Sequence, residues 1–205
     1  MREMRLPMTP ADARSLKLGE MVLLTGEMVI TAGLPTHHRM LECVEGKREM
    51  PRPLDGQALF HLGSYCEEGE EGFRPLYLNP TTSTRFNPLM PRLIRHFGLT
   101  AVGGKGGLDQ ASAEAMREVG CVYLSFLGGG APLHTAAIRS VESVHWNDLI
   151  AHFRLVTLKV EALGPVTVGI DAHGGNLYSE LRQGAAEKMP AIMAKLAEDR
   201  AKALG

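Results

Sequence analysis

Apolar residues crowd the run 21–30, with Gly26 inside it and polar breaks at Thr25 and Glu27. This pattern predicts a strand with a bulge or bend at Gly26, or two strands meeting there. Shorter apolar runs predict buried strands at 58–62, 99–102, 122–127 and 166–171. Alternating polar and apolar residues predict a half-exposed strand at 153–162. Thr9-Pro10-Ala11-Asp12 has the form of an N-cap with proline at the first helical position, so a short helix should follow and stop near Gly19. Helix formers and charges predict a helix over 37–50. Residues 109–119 read as a helix closed by Gly120, and 131–139 as another that follows Gly128-Gly129-Gly130. A last helix spans 176–204, with breaks expected near Gly184 and Pro190. Residues 81–96 have helical character that Pro88 and Pro91 should kink or split. The acidic, glycine-bearing stretch 64–74 reads as an exposed loop.

Strands and helices therefore mix throughout, which predicts an α/β fold: mixed sheets flanked by helices, with a parallel core sheet between 99 and 139. The irregular strands towards the two ends would add a second layer. With 205 residues and no low-complexity linker or internal repeat, a single domain over 1–205 is expected. The 44% apolar content suffices for a core, and a net charge of −1 gives no footprint for nucleic acid or an anionic membrane. No stretch reaches the ~18 consecutive apolar residues of a membrane-spanning helix. Met1-Arg2-Glu3-Met4-Arg5 lacks the apolar core of a signal peptide, so the expected location is the cytoplasm. Cys43, Cys66 and Cys121 are odd in number, and no two form a C-x-x-C pair. Free thiols in a reducing compartment are expected, and no metal site held by this chain alone.

Two segments could hold a small carboxylate. In Asn79-Pro80-Thr81-Thr82-Ser83-Thr84-Arg85, a helix beginning near Pro80 or Thr81 would place Thr81 and Arg85 four apart on one face. Free N–H groups at that helix start would favour an anion. Thr81, Thr82 and Ser83 add hydroxyls, and Arg85 adds a bidentate fork. An ordinary Ser/Thr cap beside a surface arginine has the same sequence. The second segment sets Lys105 among Gly103, Gly104, Gly106 and Gly107, which would allow a ligand close to the backbone. A phosphate-binding loop needs Ser or Thr directly after the lysine, and Gly106 stands there instead. A plain strand-to-helix turn remains the alternative. His37 and Arg39, after Thr31-Ala32-Gly33, are candidates to face a ligand. His145, His152 and His173 show no metal-binding spacing, and Trp146 suits packing.

These segments, in this order, resemble the beta subunit of the iron–sulfur fumarate hydratase and L(+)-tartrate dehydratase family, which is also the C-terminal domain of single-chain class I fumarases. The resemblance runs from about Leu18 to Tyr178. It is carried by Gly19-Glu20-Met21-Val22 with Gly26 and Thr31-Ala32; Pro80-Thr81-Thr82-Ser83 with Arg85; Gly104-Lys105-Gly106; Gly128-Gly129 with Ala131; and Ile170-Asp171-Ala172-His173-Gly174 with Asn176. It implies a swivelling β/β/α domain and a hydro-lyase acting on a small hydroxy-dicarboxylate of the fumarate/malate or tartrate type. It implies a partner alpha subunit whose three cysteines hold a [4Fe-4S] cluster, and a hetero-oligomer or homo-oligomer. The cluster's unique iron would bind the substrate's hydroxyl and carboxylate as a Lewis acid. Thr81 matches the threonine proposed as the family's base; Arg85 and Lys105 match cations that hold substrate carboxylates. Thr82, Ser83, Arg39 and His37 are the further substrate-binding candidates.

The chain also departs from the family. Where the family reads Thr-Ala-Arg-Asp-Ala-Ala-His-Lys-Arg, this chain has Thr31-Ala32-Gly33-Leu34-Pro35-Thr36-His37-His38-Arg39. A carboxylate-gripping arginine is thus replaced by Gly33. Gly-Pro-Thr-Thr becomes Asn79-Pro80-Thr81-Thr82, and a later Pro-Glu-Ala appears near His152-Phe153-Arg154. These changes leave room for two alternatives: a degenerate, carboxylate-binding or regulatory paralogue, or an unrelated anion-binding domain acting alone.

Overall fold

The structure is a computed structural model that describes residues 1–69 and 72–204. Nine strands and six α-helices are found among them. The strands are β1 (Arg2–Leu6), β2 (Met21–Ile30), β3 (Ala58–Phe60), β4 (Leu62–Gly69), β5 (Gly72–Pro80), β6 (Ala101–Gly104), β7 (Val122–Ser125), β8 (Ile138–His145) and β9 (Leu155–Ile170). The helices are α1 (Pro10–Ser15), α2 (Leu34–Val44), α3 (Met90–Phe97), α4 (Gln110–Val119), α5 (Ala131–Ala136) and α6 (Leu177–Leu204), with short 3-10 turns at Ser83–Phe86 and Ala151–Phe153.

Seven strands form one mixed sheet in the order β1-β2-β3-β6-β7-β9-β8, and β9 also pairs antiparallel with β2. That pairing closes β2, β3, β6, β7 and β9 into a ring, while β4 and β5 form a separate hairpin. The fold is α/β with helices against the sheet, as expected. The parallel strands are β1-β2-β3-β6-β7, so the parallel core extends well beyond the expected 99–139 segment.

Successive residues of a strand point to opposite faces, and the core divides accordingly. Phe60, Val122, Leu124 and Leu158 pack in one buried cluster. Leu59, Val102 and Tyr123 pack in the other, against Met90, Leu93, Ile94 and Met116 from α3 and α4. The local signals for helix ends hold. Thr9 and Asp12 make a capping box at α1, and Gly120 closes α4 with φ 80°. Residues 81–96 are split at the prolines, and α3 begins with Pro91 in its first turn.

Several boundaries differ. Residues 64–74 form most of the β4–β5 hairpin rather than a loop, Glu70 and Glu71 lying outside the described residues. Acidic residues masked the alternation there, and the strands are supported by pairing with each other. The helix expected over 131–139 ends at Ala136, and β8 follows. The strands expected at 153–162 and 166–171 are one long strand, β9, held by β2 on one edge and by β8 and β7 on the other. The run 21–30 is a single strand with register shifts between Val22 and Gly26, the first of the two expected alternatives. Gly26, at φ 130°, lets β1 lie against it, since a Cβ there would collide with the Leu6 carbonyl. The helix expected over 37–50 spans Leu34–Val44, and α6 continues through Gly184 and Pro190. β1 had no counterpart among the expected elements.

Candidate functional site

The threonine-rich segment and the glycine-flanked lysine meet at the ends of β3 and β6. His61 N–H donates to Gly103 O (2.7 Å), and Thr81 N–H donates to His61 O (2.9 Å). Lys105 N–H donates to Thr81 O (3.0 Å), and Ser83 N–H donates to Lys105 O (2.8 Å). Thr82 and Lys105 thus form a parallel bridge that extends the sheet by one short rung. Gly104 makes this approach possible. A Cβ there would lie 3.0 Å from Thr81 O and would collide with Ser83 Oγ.

This geometry corrects one expectation. Residues 83–86 form a 3-10 turn rather than the start of an α-helix, and Ser83 N–H is already engaged by Lys105 O. The segment does not offer a row of free helix N–H groups. Its anion-binding capacity rests on side chains. Arg85 Nη2 donates to Thr81 Oγ1, and its Nε lies 3.4 Å from Thr82 O. A guanidinium donating to a hydroxyl oxygen favours negative charge on that oxygen. Among the described residues, neither Arg85 nor Lys105 pairs with a carboxylate.

Thr81, Arg85 and Lys105 line one cavity of about 310 Å³, together with Asn79 and Pro80. The rest of its wall is Tyr77, His152 and Phe153, with Ala32 and Gly63. No acidic side chain lines it. A larger groove of about 970 Å³ lies between the β4–β5 hairpin and β8. There Arg74 pairs with Glu67, and Arg139 pairs with Glu161. Both of its arginines are thus engaged, and Glu68 and Glu142 add negative charge to its wall, so the smaller cavity is the better candidate for a small anion.

The other sequence candidates lie elsewhere. Ser83 is fully buried; its Oγ accepts from Tyr123 (2.8 Å) and contacts His61 Nδ1 (2.8 Å). It anchors the turn and does not face the cavity. His37 is also fully buried. Its Nδ1–H donates to Gly33 O (2.6 Å), and its ring stacks on Phe86 at 4.0 Å. Burial pushes its pKa down to about 4, so the ring is neutral near pH 7. Arg39 is held by Asp148, with Nη1 2.8 Å from Oδ1, and its guanidinium lies 5.8 Å from the Trp146 ring centroid. That pairing keeps Arg39 occupied, and it does not line the cavity. Thr82 contributes its backbone: its carbonyl faces Arg85, and its methyl lies beside Gly106. Asp171 and Asn176 hold the turn into α6, Asp171 accepting from His173 and Gly175 and Asn176 accepting from Tyr178.

Tyr77, His152 and Phe153 were missing from the sequence candidates, and Asn79, at the head of the threonine-rich segment, was given no role. Tyr77, Asn79 and Thr81 recur at every second residue, a strand signal that reading 64–74 as a loop concealed. His152 and Phe153 reach the cavity only because the 151–153 turn folds onto the start of α2, where Ala32 N–H donates to His152 O (2.9 Å).

The cysteines do not converge. Cys121 is fully buried, and burial raises its thiol pKa, as it does for Cys43 and Cys66. Among the described residues, no three His, Cys, Asp or Glu side chains group as a metal site. The residues present therefore do not fit an iron–sulfur cluster held by this chain. No helix among them is long and apolar enough to cross a membrane.

Comparison with known proteins gives a consistent result. L(+)-tartrate dehydratase subunit beta of Escherichia coli (strain K12) is 30% identical over 192 residues, covering 94% of each chain. The protein of that name from Shigella boydii serotype 4 is 29% identical over the same length, again covering 94% of each. A longer relative from Geobacillus stearothermophilus, whose name places it with class I fumarate hydratases, is 31% identical over 91% of this chain, which spans 35% of that relative. The family model described as Fumarase C-terminus matches residues 2–181. The chain belongs to the Fumarase C-terminus family.

Proposed function

We propose that this chain, acting as one domain, is the beta subunit of a hydro-lyase that binds a small hydroxy acid through a carboxylate. The observation that carries the reading is the convergence of Thr81, Arg85 and Lys105 on one acid-free cavity, the two cations without carboxylate partners among the described residues. In the direction of water loss, a proton leaves the carbon beside a carboxylate, hydroxide leaves the neighbouring carbon, and a double bond forms. Charge then builds on the carboxylate oxygens, where Arg85 and Lys105 would stabilise it. Thr81 Oγ1, receiving a hydrogen bond from Arg85, is the proposed proton acceptor. The relatives' names support a partner alpha subunit. An iron–sulfur cluster, if the enzyme uses one, is proposed to come from that partner. Three free thiols support a reducing compartment, the cytoplasm.

Gly33 favours a second reading, a carboxylate-binding subunit without catalysis. A Cβ there would lie 2.6 Å from Phe153 Cβ, so no side chain from this position can add a third cation. One experiment separates the two. The chain is co-expressed with an alpha subunit, the complex is treated anaerobically with iron and sulfide, and water loss from hydroxy acids, including malate and tartrate, is followed by absorbance of the alkene product. Activity that falls about 100-fold or more in Lys105→Ala and Arg85→Ala supports the first reading. No turnover of any hydroxy acid, with carboxylate binding retained, supports the second.

A further inference from the structure

Lys105 is carried on a glycine turn. Gly106 and Gly107, directly after it, have φ of 82° and 77°, values that other residues rarely adopt. Glycine has more alternative conformations than any other residue, so contacts from outside the turn have to hold Lys105 in place. On its upstream side these are backbone bonds: Lys105 N–H donates to Thr81 O, and Lys105 O accepts from Ser83 N–H. On its downstream side a side chain takes part. Gly107 N–H donates to Tyr123 Oη (3.3 Å).

Tyr123 stands on β7, beside β6, and is fully buried. Its Oη also lies 2.8 Å from Ser83 Oγ. One phenol oxygen therefore ties the amide two residues beyond Lys105 to the residue that holds the Lys105 carbonyl. The tie exists whichever hydroxyl donates in the Tyr123–Ser83 pair, because an amide N–H only donates and a phenol oxygen both donates and accepts. Tyr178, in the first turn of α6, seats the ring edge to face, with 5.7 Å between centroids. Tyr178 fills space left by two glycines: a Cβ at Gly107 would collide with its ring, and a Cβ at Gly169 would lie 2.8 Å from its Cε2. Tyr123 does not line the cavity, so it acts on a ligand only through the segments it joins.

We infer that Tyr123 is a positioning residue for Lys105: its hydroxyl holds the glycine turn so that the amine keeps its place opposite Thr81 and Arg85. This inference rests on the carboxylate-binding reading given above and adds the group that holds its second cation. Tyr123→Phe keeps the ring against Tyr178 and removes both hydrogen bonds of the hydroxyl. Ser83 retains its contact with His61, and Thr81 N–H retains His61 O, so the loss falls on the Lys105 side.

The test is a double-mutant cycle on the chain assembled with its alpha subunit: the unmodified protein, Tyr123→Phe, Lys105→Ala and the two together. Turnover of malate and tartrate gives kcat/KM, isothermal titration calorimetry gives Kd, and circular dichroism checks that each variant is folded. The expected result is that Tyr123→Phe lowers kcat/KM, or raises Kd where the complex does not turn over, by about tenfold. In the Lys105→Ala background the same change should have an effect below about twofold, because the group it positions is gone. A purely structural role lowers the melting temperature without this loss of additivity. Full effects that multiply in the double variant overturn the inference, as does a Tyr123→Phe protein with unchanged kcat/KM and Kd. Should Tyr123→Phe not fold, Tyr178→Leu, which unseats the phenol from the other side, replaces it in the cycle with the same expectations. Lys105→Ala keeps the two levels apart. If it weakens both acids and Tyr123→Phe does not, the positioning role fails and the carboxylate site stands. If Lys105→Ala changes neither turnover nor binding, the carboxylate reading itself fails. Neither turnover nor binding of either acid overturns both.

Discussion

Lowering the pH from 7.5 to 4.5 should destabilise this protein through a histidine that is neutral in the fold. His37 is fully buried, and its pKa is pushed from the ordinary 6.5 down to about 4, chiefly by burial, against a raising hydrogen bond to Gly33 O. In the unfolded chain the ring takes up a proton as the pH falls through 6.5, whereas in the fold it resists until about pH 4. The unfolded state therefore binds more protons across this window, and stability falls as the pH is lowered through it. Stability from this source is complete above about pH 6.5. At about 1.4 kcal/mol per pH unit, the loss reaches about 2 kcal/mol at pH 5 and about 3 kcal/mol near pH 4. His61, also fully buried and lowered well below its ordinary value, acts in the same direction. Asp148, held down to about 2 by Arg39, begins to lose its contribution only below about pH 4 and does not confuse the window. Urea denaturation at pH 7.5, 6 and 5, read by Trp146 fluorescence and circular dichroism, measures the effect. His37→Phe keeps a ring against Phe86 and removes the titration, so its pH slope should be shallower than that of the unmodified protein. A stability that is flat from pH 7.5 to 5, or a slope identical in His37→Phe, would refute the reasoning.

Three other outcomes follow from the geometry. Ser83→Ala should cost about 1–3 kcal/mol, measured by urea denaturation, because it strips partners from the buried Tyr123 hydroxyl and His61 ring. Gly104→Ala should lower the melting temperature and weaken carboxylate binding together, since the added methyl forces the Thr81–Ser83 segment away from Lys105; calorimetry reads both. Asp148→Ala should change stability by no more than about 1 kcal/mol, because its side chain is 65% exposed, and should leave steady-state kinetics of the assembled enzyme unchanged.

Local chemistry was legible in the chain. The Thr9–Asp12 capping box, the prolines that divide 81–96, and Gly120 at the end of α4 act within a few residues of themselves, so sequence spacing suffices to place them. Apolar runs marked β3, β6 and β7 because these short strands are buried on both faces and leave an unbroken run, and β2 stood out by its apolar content despite Thr25 and Glu27. Thr81, Arg85 and Lys105 could be singled out from their residue types and glycine context. Which other side chains join them depended on distant pairings. The β4–β5 hairpin is acidic along part of its length, and its pairing rather than its composition makes it a strand; only then do Tyr77 and Asn79 fall beside Thr81. Ser83 and His37 are polar residues whose types suit a ligand site, yet the fold buries both and turns them to structural hydrogen bonds. Arg39 is claimed by Asp148, 109 residues away. His152 and Phe153 enter the cavity because their turn docks on α2. Sequence thus determined the segments and the reactive groups, through short-range caps, breakers and burial patterns. The tertiary structure decided which groups share a cavity and which are spent on the scaffold, because those contacts join residues far apart along the chain.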